Sequence, residues 1–142
     1  MRGGVTSNLG LDIGDKRIGV ARSDPLGILA SPLTIIERRD EKQDIETILD
    51  IIAQNQIKKV IIGLPRSMDG SMGIQAEKVK DFFQKLCSHT DASVEFRDER
   101  LTTVSAKRLM QAASTKKNKR KGKDDAVAAA LILQGYLDES IR

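Results

Sequence analysis

The sequence contains little of three residue types that often carry protein chemistry: cysteine, histidine and the aromatic residues. It has one cysteine, Cys87, one histidine, His89, one tyrosine, three phenylalanines and no tryptophan. One cysteine and one histidine cannot build a zinc site or a supported Cys–His catalytic pair. A single cysteine also excludes a disulfide within the chain, which is typical of a reducing compartment. So few aromatic residues argue against a stacking platform for single-stranded bases.

The sequence also lacks an apolar run of membrane-spanning length, and its first eight residues have no apolar signal core. We therefore expect a cytoplasmic protein that does not associate with membranes. The 142 residues predict one domain spanning 1–142. A chain of this length buries enough surface for a hydrophobic core without disulfides or structural metals.

The positive charge is concentrated in one segment. The net charge is +4, and subtracting the six basic residues between positions 116 and 123 leaves −2 for the rest of the chain. This distribution indicates a local contact with a polyanion. A segment of lysines with glycine does not pack into a core, so we predict a flexible basic loop over residues 114–124. The simpler interpretation is a solvated, lysine-rich segment that has no function. Its basic residues are Lys116, Lys117, Lys119, Arg120, Lys121 and Lys123.

The hydrophobic pattern predicts three strands followed by alternating helices and strands. The turn Gly14-Asp15-Lys16 joins the first two apolar runs into an antiparallel hairpin. Apolar residues then recur at helical spacing after Asp40-Glu41, and on the second helix one face carries Ala76, Val79, Phe83 and Leu86. Predicted strands lie near 8–13, 17–23, 33–37, 59–63 and 92–97; later helices lie near 74–87, 102–113 and 125–137.

This order of elements predicts the fold class. A three-stranded meander followed by alternating helix and strand gives an α/β protein with a mixed sheet. Right-handed crossovers place the later strands beyond strand one, which predicts the order 3-2-1-4-5 with strand two antiparallel and helices on both faces. This is the ribonuclease H-like arrangement.

Acidic residues occur in or beside apolar segments at separate places in the chain. Asp12 lies within the first strand, Asp98 and Glu99 follow the last strand, and Asp125 opens the final helix. An unpaired charge in an apolar strand is costly, and a bound cation is the usual partner. Carboxylates from distant segments fit two-metal phosphodiester hydrolysis with Mg²⁺ or Mn²⁺, which needs no histidine or serine nucleophile.

Each acidic residue also has a purely structural interpretation. Asp12 could tighten the hairpin, Glu99 could pair with Arg97 or Arg100, and Asp125 could cap its helix. Because the basic loop leads directly into Asp125, we favour a site at which its lysines contact substrate phosphate.

The loop after the fourth strand is a second candidate phosphate site. Loops at the carboxyl ends of such strands commonly bind ligands in α/β sheets. Arg66 and Ser71 are the candidate contacts, and Asp69 is a reserve metal ligand. An ordinary turn through Asp69-Gly70 is the alternative.

Four ordered blocks of the sequence resemble the YqgF family. The blocks are DIG at 12–14 with KRIGVA at 16–21, GLP at 63–65 with MDGS at 68–71, DERLTT at 98–103, and Asp125 with the residues at 128–129 and 132–134. The resemblance implies a single-domain ribonuclease H-like nuclease. The family is described as Holliday junction resolvases, by analogy with RuvC, and as nucleases that trim the 5′ end of precursor 16S ribosomal RNA.

Carried over to this sequence, the acidic and metal-binding site of the family falls on Asp12, Glu99 and Asp125. Asp15 replaces the usual threonine, and Asp98 and Asp124 lie beside Glu99 and Asp125, so which acid of each pair is the ligand stays open. The predicted substrate contacts are Lys16, Arg17, Arg66, Ser71, Arg100 and the six basic residues of the loop.

The expected partner is structured nucleic acid, either precursor ribosomal RNA, with ribosomal particles as a further partner, or branched DNA. Symmetric junction cleavage normally needs a two-fold dimer, and the sequence leaves both a monomer and a homodimer open. A sugar kinase or actin-like ATPase also begins with a DxG hairpin, but such a protein closes two domains of this kind around a nucleotide. The 142 residues here provide one, so this class is disfavoured. A non-catalytic nucleic-acid-binding module is disfavoured because all three acids are present.

Overall fold

The computed structural model describes residues 7–64, 74–98 and 123–140. The predicted elements within these ranges are confirmed, with the third strand beginning three residues earlier than expected, whereas the predicted helix at 102–113 lies outside them. The strands are β1 (Ser7–Ile13), β2 (Arg17–Ser23), β3 (Ala30–Glu37), β4 (Ile57–Leu64) and β5 (Ser93–Asp98). The helices are α1 (Glu41–Gln54), α2 (Ile74–Cys87) and α3 (Lys123–Ser140).

The five strands form one mixed sheet in the order β3-β2-β1-β4-β5. β2 is antiparallel to β1 and β3, whereas β4 runs parallel to β1 and β5 runs parallel to β4. The predicted strand order and the antiparallel second strand are therefore confirmed. Since β1, β4 and β5 point the same way, their carboxyl ends lie at one edge of the sheet.

One face of the sheet packs against α1 and α2. Leu9, Leu11 and Ile13 of β1 are buried in this core. On α2, Phe83 is partly buried against this core together with the other residues of its predicted face, and its ring centroid lies 4.3 Å from that of Phe96. Phe82, which was not predicted to lie on that face, is fully buried. Steps of three and of four residues both return to one helix face, so spacing alone could not separate the two rings.

The other face of the sheet packs against α3. Ala129, Ala130 and Leu133 of this helix are fully buried in a second apolar cluster, which confirms the prediction that the last helix lies against the sheet. A Cβ built on Gly10 of β1 would be 2.8 Å from the Ala129 carbonyl oxygen and 2.8 Å from the Leu133 Cβ. Glycine at position 10 therefore allows the helix backbone to approach the central strand.

The contacts of α3 fix its direction relative to β1. Ala129 and Leu133 lie over Gly10. Further along the helix, the Gln134 Oε1 accepts a 2.8 Å hydrogen bond from the backbone N–H of Ala30, at the level where β1 begins. The amino end of α3 is therefore directed towards the edge where β1, β4 and β5 end. No helix within the described ranges is long and apolar enough to cross a membrane.

Candidate active site

Asp12 is a half-buried residue of the central strand, paired with Gly19 of β2 in the sheet. Successive side chains of a strand point to opposite faces. Leu11 and Ile13 point into the α1–α2 core and Gly10 faces α3, so Asp12 lies on the α3 face. It is one residue from the end of β1. The carboxylate therefore lies near the carboxyl edge of the sheet, beyond the point where α3 contacts β1.

The turn after Asp12 carries two of the predicted substrate contacts. The backbone N–H of Gly14 donates a 2.9 Å hydrogen bond to the Arg17 carbonyl oxygen, and a Cβ on Gly14 would lie 2.9 Å from that oxygen. Lys16 is exposed at the turn, and Arg17 is half-buried at the start of β2. Asp15, also exposed, lies 3.6 Å from the Lys78 ammonium.

The second predicted acidic segment lies at the end of β5, two strands from β1. Asp98 is the last residue of β5 and pairs with Leu64 of β4; only its backbone is described. Two strand spacings separate the backbones of β1 and β5 by about 10 Å. The next residue, Glu99, lies outside the described residues. Arg97, which precedes Asp98 in β5, is buried and forms a 2.6 Å ion pair with Glu139. This ion pair connects β5 to α3.

The third predicted acid, Asp125, lies in the first turn of α3, where the backbone is described and the side chain is not. α3 begins at Lys123, so the last two residues of the predicted loop 114–124 belong to the helix instead. Acidic residues are generally favoured in a first helical turn, because the helix dipole is positive at that end.

The other predicted contacts have no described position. They are Arg66, Ser71, Arg100, Lys116, Lys117, Lys119, Arg120 and Lys121. Within the part of the chain that is described, no group of three acidic, histidine or cysteine side chains could hold a metal ion. The structure thus brings the backbones of β1, β5 and α3 towards one edge and leaves the ligand set of the site as a prediction.

A partly buried ion pair beside the β1–β2 turn was missed by the sequence interpretation. Arg38 follows β3, and its Nε lies 3.0 Å from the Oδ2 of Asp44, whose side chain is 2% exposed. Asp44 precedes Ile48 by four residues and so shares the apolar face of α1. An acid on an apolar helix face needs a partner, and this was the available signal.

Comparison with known proteins identifies the family. Residues 6–139 match the family model described as "RuvX: Holliday junction resolvase". A protein of Halothermothrix orenii is 46% identical over 130 residues, which cover 92% of this chain and 93% of that protein. One from Clostridioides difficile is 47% identical over 133 residues, covering 94% of each. Both are named "Putative pre-16S rRNA nuclease".

Solved structures share the fold at low sequence identity. RuvC of Thermus thermophilus, in complex with a Holliday junction substrate, superposes with a TM-score of 0.64 at 11% identity, covering 95% of this chain and 96% of RuvC. The Fowlpox virus resolvase, in complex with Holliday junction DNA, gives a TM-score of 0.61 at 15% identity, covering 96% and 100%. The predicted fold and family are confirmed, and the chain belongs to the RuvX (YqgF) family of ribonuclease H-like nucleases, enzymes that hydrolyse phosphodiester bonds.

Proposed function

We propose that this protein is a metal-dependent nuclease that trims the 5′ end of precursor 16S ribosomal RNA in the cytoplasm, and that the whole chain is one catalytic domain. The observation that carries the proposal is the location of Asp12. A half-buried carboxylate lies on the central strand, close to the edge where three parallel strands end. Its carboxylate oxygens are hard donors of the kind that divalent cations bind.

The ligands in this proposal are Asp12, Glu99 and Asp125, with Asp98 and Asp124 as the alternatives at the second and third positions. Hard carboxylate oxygens fit Mg²⁺ or Mn²⁺, and the one described side chain of the set supplies such a donor at the proposed edge. When bound there, divalent ions would activate a water molecule and stabilise the leaving oxygen.

The register of α3 supports the inclusion of Asp125. Ala129 lies over Gly10, and Asp125 is four residues, about 6.0 Å along the helix axis, before Ala129. Asp12 is two residues, about 6.6 Å, beyond Gly10. Since α3 runs antiparallel to β1, both displacements point towards the same edge of the sheet, which brings the first turn of α3 level with Asp12.

The chain's own residues have two tasks in this proposal. The carboxylates hold the ions at a fixed place on a rigid sheet, and the basic residues bind the phosphate backbone. Lys16 on the β1–β2 turn is exposed, and the basic residues between 116 and 123 immediately precede or begin α3. Cations next to the acids would bind the polyanion without reading its sequence.

Ribosomal RNA is the preferred substrate because the two relatives described above, at 46% and 47% identity over nearly the whole chain, carry the pre-16S rRNA name. Precursor ribosomal particles are then a natural form of the substrate. The second candidate is the four-way DNA junction, favoured by the description of the matching family model. Cutting both strands symmetrically would require a two-fold dimer of this chain.

The test compares wild type with Asp12→Asn on a 5′-extended 16S precursor RNA and on a four-way DNA junction, with Mg²⁺, with Mn²⁺ and with EDTA. We expect metal-dependent trimming of the RNA by wild type and a loss of at least about 100-fold in Asp12→Asn, since even supporting residues around metals contribute 10- to 100-fold. Asp15→Asn is the matched control, because it removes an exposed acid from the same hairpin.

Two results would contradict the proposal. Equal cleavage by Asp12→Asn and wild type would exclude the metal site, and cleavage in EDTA would exclude metal dependence. Faster cutting of the junction than of the RNA would make the second candidate the preferred function. Thermal unfolding of both variants verifies that any lost activity does not reflect lost folding.

A further inference from the structure

We propose that Arg38 is a positioning residue for nucleic-acid binding, which holds the β1–β2 turn, residues 14–17, in the conformation that presents Lys16 to substrate phosphate. This inference rests on the proposed function, since it assigns a role within the same site. Arg38 does not contact the substrate in this proposal; it acts through the turn.

Arg38 binds the turn at two carbonyl groups. Its Nη1 donates a 2.9 Å hydrogen bond to the Gly14 carbonyl oxygen, and its backbone N–H donates a 2.9 Å hydrogen bond to the carbonyl oxygen of Lys16. The last pair of the β1–β2 ladder before the turn is Ile13 with Ile18. The contact at Gly14 therefore acts just beyond this ladder, whereas the bond to Lys16 continues the pairing of β2 with β3 past Arg17 and Glu37.

The guanidinium is itself held by α1 and α2. Its Nε lies 3.0 Å from the Asp44 Oδ2, and the other oxygen of this carboxylate accepts a 3.0 Å hydrogen bond from the Arg39 backbone N–H. The guanidinium carbon of Arg38, Cζ, lies 5.4 Å from the centroid of the Phe82 ring, and Phe82 is 1% exposed. Arg38 thus links the turn to two helices of the main core.

The contact pattern requires arginine rather than any cation. The guanidinium is planar, and it offers Nε to Asp44 and Nη1 to Gly14 at the same time. A lysine ammonium is a single point at the end of a flexible chain, so it cannot reproduce this fork. Arg38→Lys therefore keeps the positive charge and removes the geometry, which separates positioning from electrostatics.

The first experiment measures binding of a 5′-extended RNA stem-loop in EDTA, so that no cleavage occurs, at several salt concentrations. We expect Lys16→Ala to reduce the salt slope, −d log K/d log[salt], by about 0.7–1 because one phosphate contact is lost. We expect Arg38→Lys to reduce it by the same amount although its charge is retained. The double variant should lose no more than either single variant, because both act on one contact.

The matched control is Arg39→Gln. Arg39 is exposed and adjacent, and only its backbone donates to Asp44 in the contacts described above. We expect this variant to bind the RNA more like wild type than Arg38→Lys does, even though it loses a charge. Additive losses in the double variant, or a wild-type slope in Arg38→Lys, would overturn the proposal.

The second experiment needs no RNA. Amide hydrogen exchange of Lys16 and Arg17 should be about 10-fold faster in Arg38→Lys, because the turn opens locally more often. The core variant Ile48→Val, which loses packing at a fully buried position of α1, should leave these two amides near their wild-type rates. Unchanged exchange in Arg38→Lys would overturn the proposal. A wild type that binds the RNA but does not cleave it would refute the proposed nuclease activity alone.

Discussion

Gly10 of the central strand and Leu133 of α3 are in such close contact that a Cβ on the glycine would lie 2.8 Å from the Leu133 Cβ. The Ala129 carbonyl oxygen would be equally close. This approach sets the height of α3 above the sheet. Because Asp12 lies two residues beyond Gly10 on the same face, the same contact also governs how near the first turn of α3 comes to the proposed site.

The substitution Gly10→Ala should force α3 away from β1. Both neighbours belong to the packed helix, one of them as backbone, so neither can move aside alone. We expect a loss of about 1–3 kcal/mol in the free energy of unfolding, as is usual for an overpacked core, together with reduced nuclease activity. Urea denaturation and the RNA cleavage assay measure the two effects.

Gly135→Ala is the control for this prediction. A Cβ there would lie 2.8 Å from the Arg97 Nε and Nη2, atoms near the end of a longer and more adjustable side chain. Alanine also has the better helix propensity, by about 1 kcal/mol. We expect Gly135→Ala to be the milder variant. A loss for Gly10→Ala no greater than that for Gly135→Ala would contradict our account of the α3 contact.

Gln134→Leu should destabilise the junction between α3 and the β2–β3 connection. The Gln134 side chain is largely buried; it accepts a hydrogen bond from the Ala30 N–H at 2.8 Å and donates one to the Ile28 carbonyl oxygen at 2.9 Å. Leucine leaves both backbone groups without this partner, which should cost about 1–3 kcal/mol. Thermal and urea unfolding measure this loss. The control is Gln84→Leu at an exposed position, whose free energy of unfolding should lie within about 0.5 kcal/mol of wild type.

The carboxylate of Asp24 should make the stability of the β2–β3 connection depend on acid pH. Hydrogen bonds from the backbone N–H groups of Leu29 and Ile28 lower the pKa of Asp24 below its ordinary value. A lowered folded-state pKa means that the unfolded state binds protons more readily. The stabilisation is therefore present above the unfolded pKa and is lost as pH falls through the folded pKa.

Urea unfolding of wild type and Asp24→Asn at a series of pH values tests this dependence. We expect the ionised carboxylate to make wild type the more stable protein at neutral pH and the difference to shrink as the medium becomes strongly acidic. A difference that stays constant from neutral pH to about pH 2 would contradict the assignment.

The basic segment should account for much of the salt dependence of RNA binding. Glutamine at all six basic positions should reduce the salt slope by up to about 0.7 for each contact that is lost on single-stranded RNA. The six positions are Lys116, Lys117, Lys119, Arg120, Lys121 and Lys123. Lys42→Gln and Lys80→Gln remove exposed charges from α1 and α2 and should change the slope far less per charge. An equal effect per charge would indicate general rather than local electrostatic binding.

Part of this protein follows directly from its sequence. Apolar periodicity, the turn at Gly14 and the right-handed crossover rule predicted the strand order and the antiparallel β2, because each depends on local pattern or on general chirality. The ordered blocks from Asp12 to Gln134 identified the family, because a motif is defined by residue types and their spacing in the sequence. The roles of Glu99 and Asp125 remain predictions of that kind.

Other features were decided only by the tertiary structure. How deeply Phe82 and Phe83 each enter the core depends on the rotation of α2 against the sheet, which a helical period leaves open. The pairing of Arg38 with Asp44, and the contact of Arg38 with the β1–β2 turn, depend on distances between separate elements. The height of α3 over Gly10 is likewise a packing result. The sequence alone determined which elements form and in what order, whereas close packing in three dimensions decided which side chains meet.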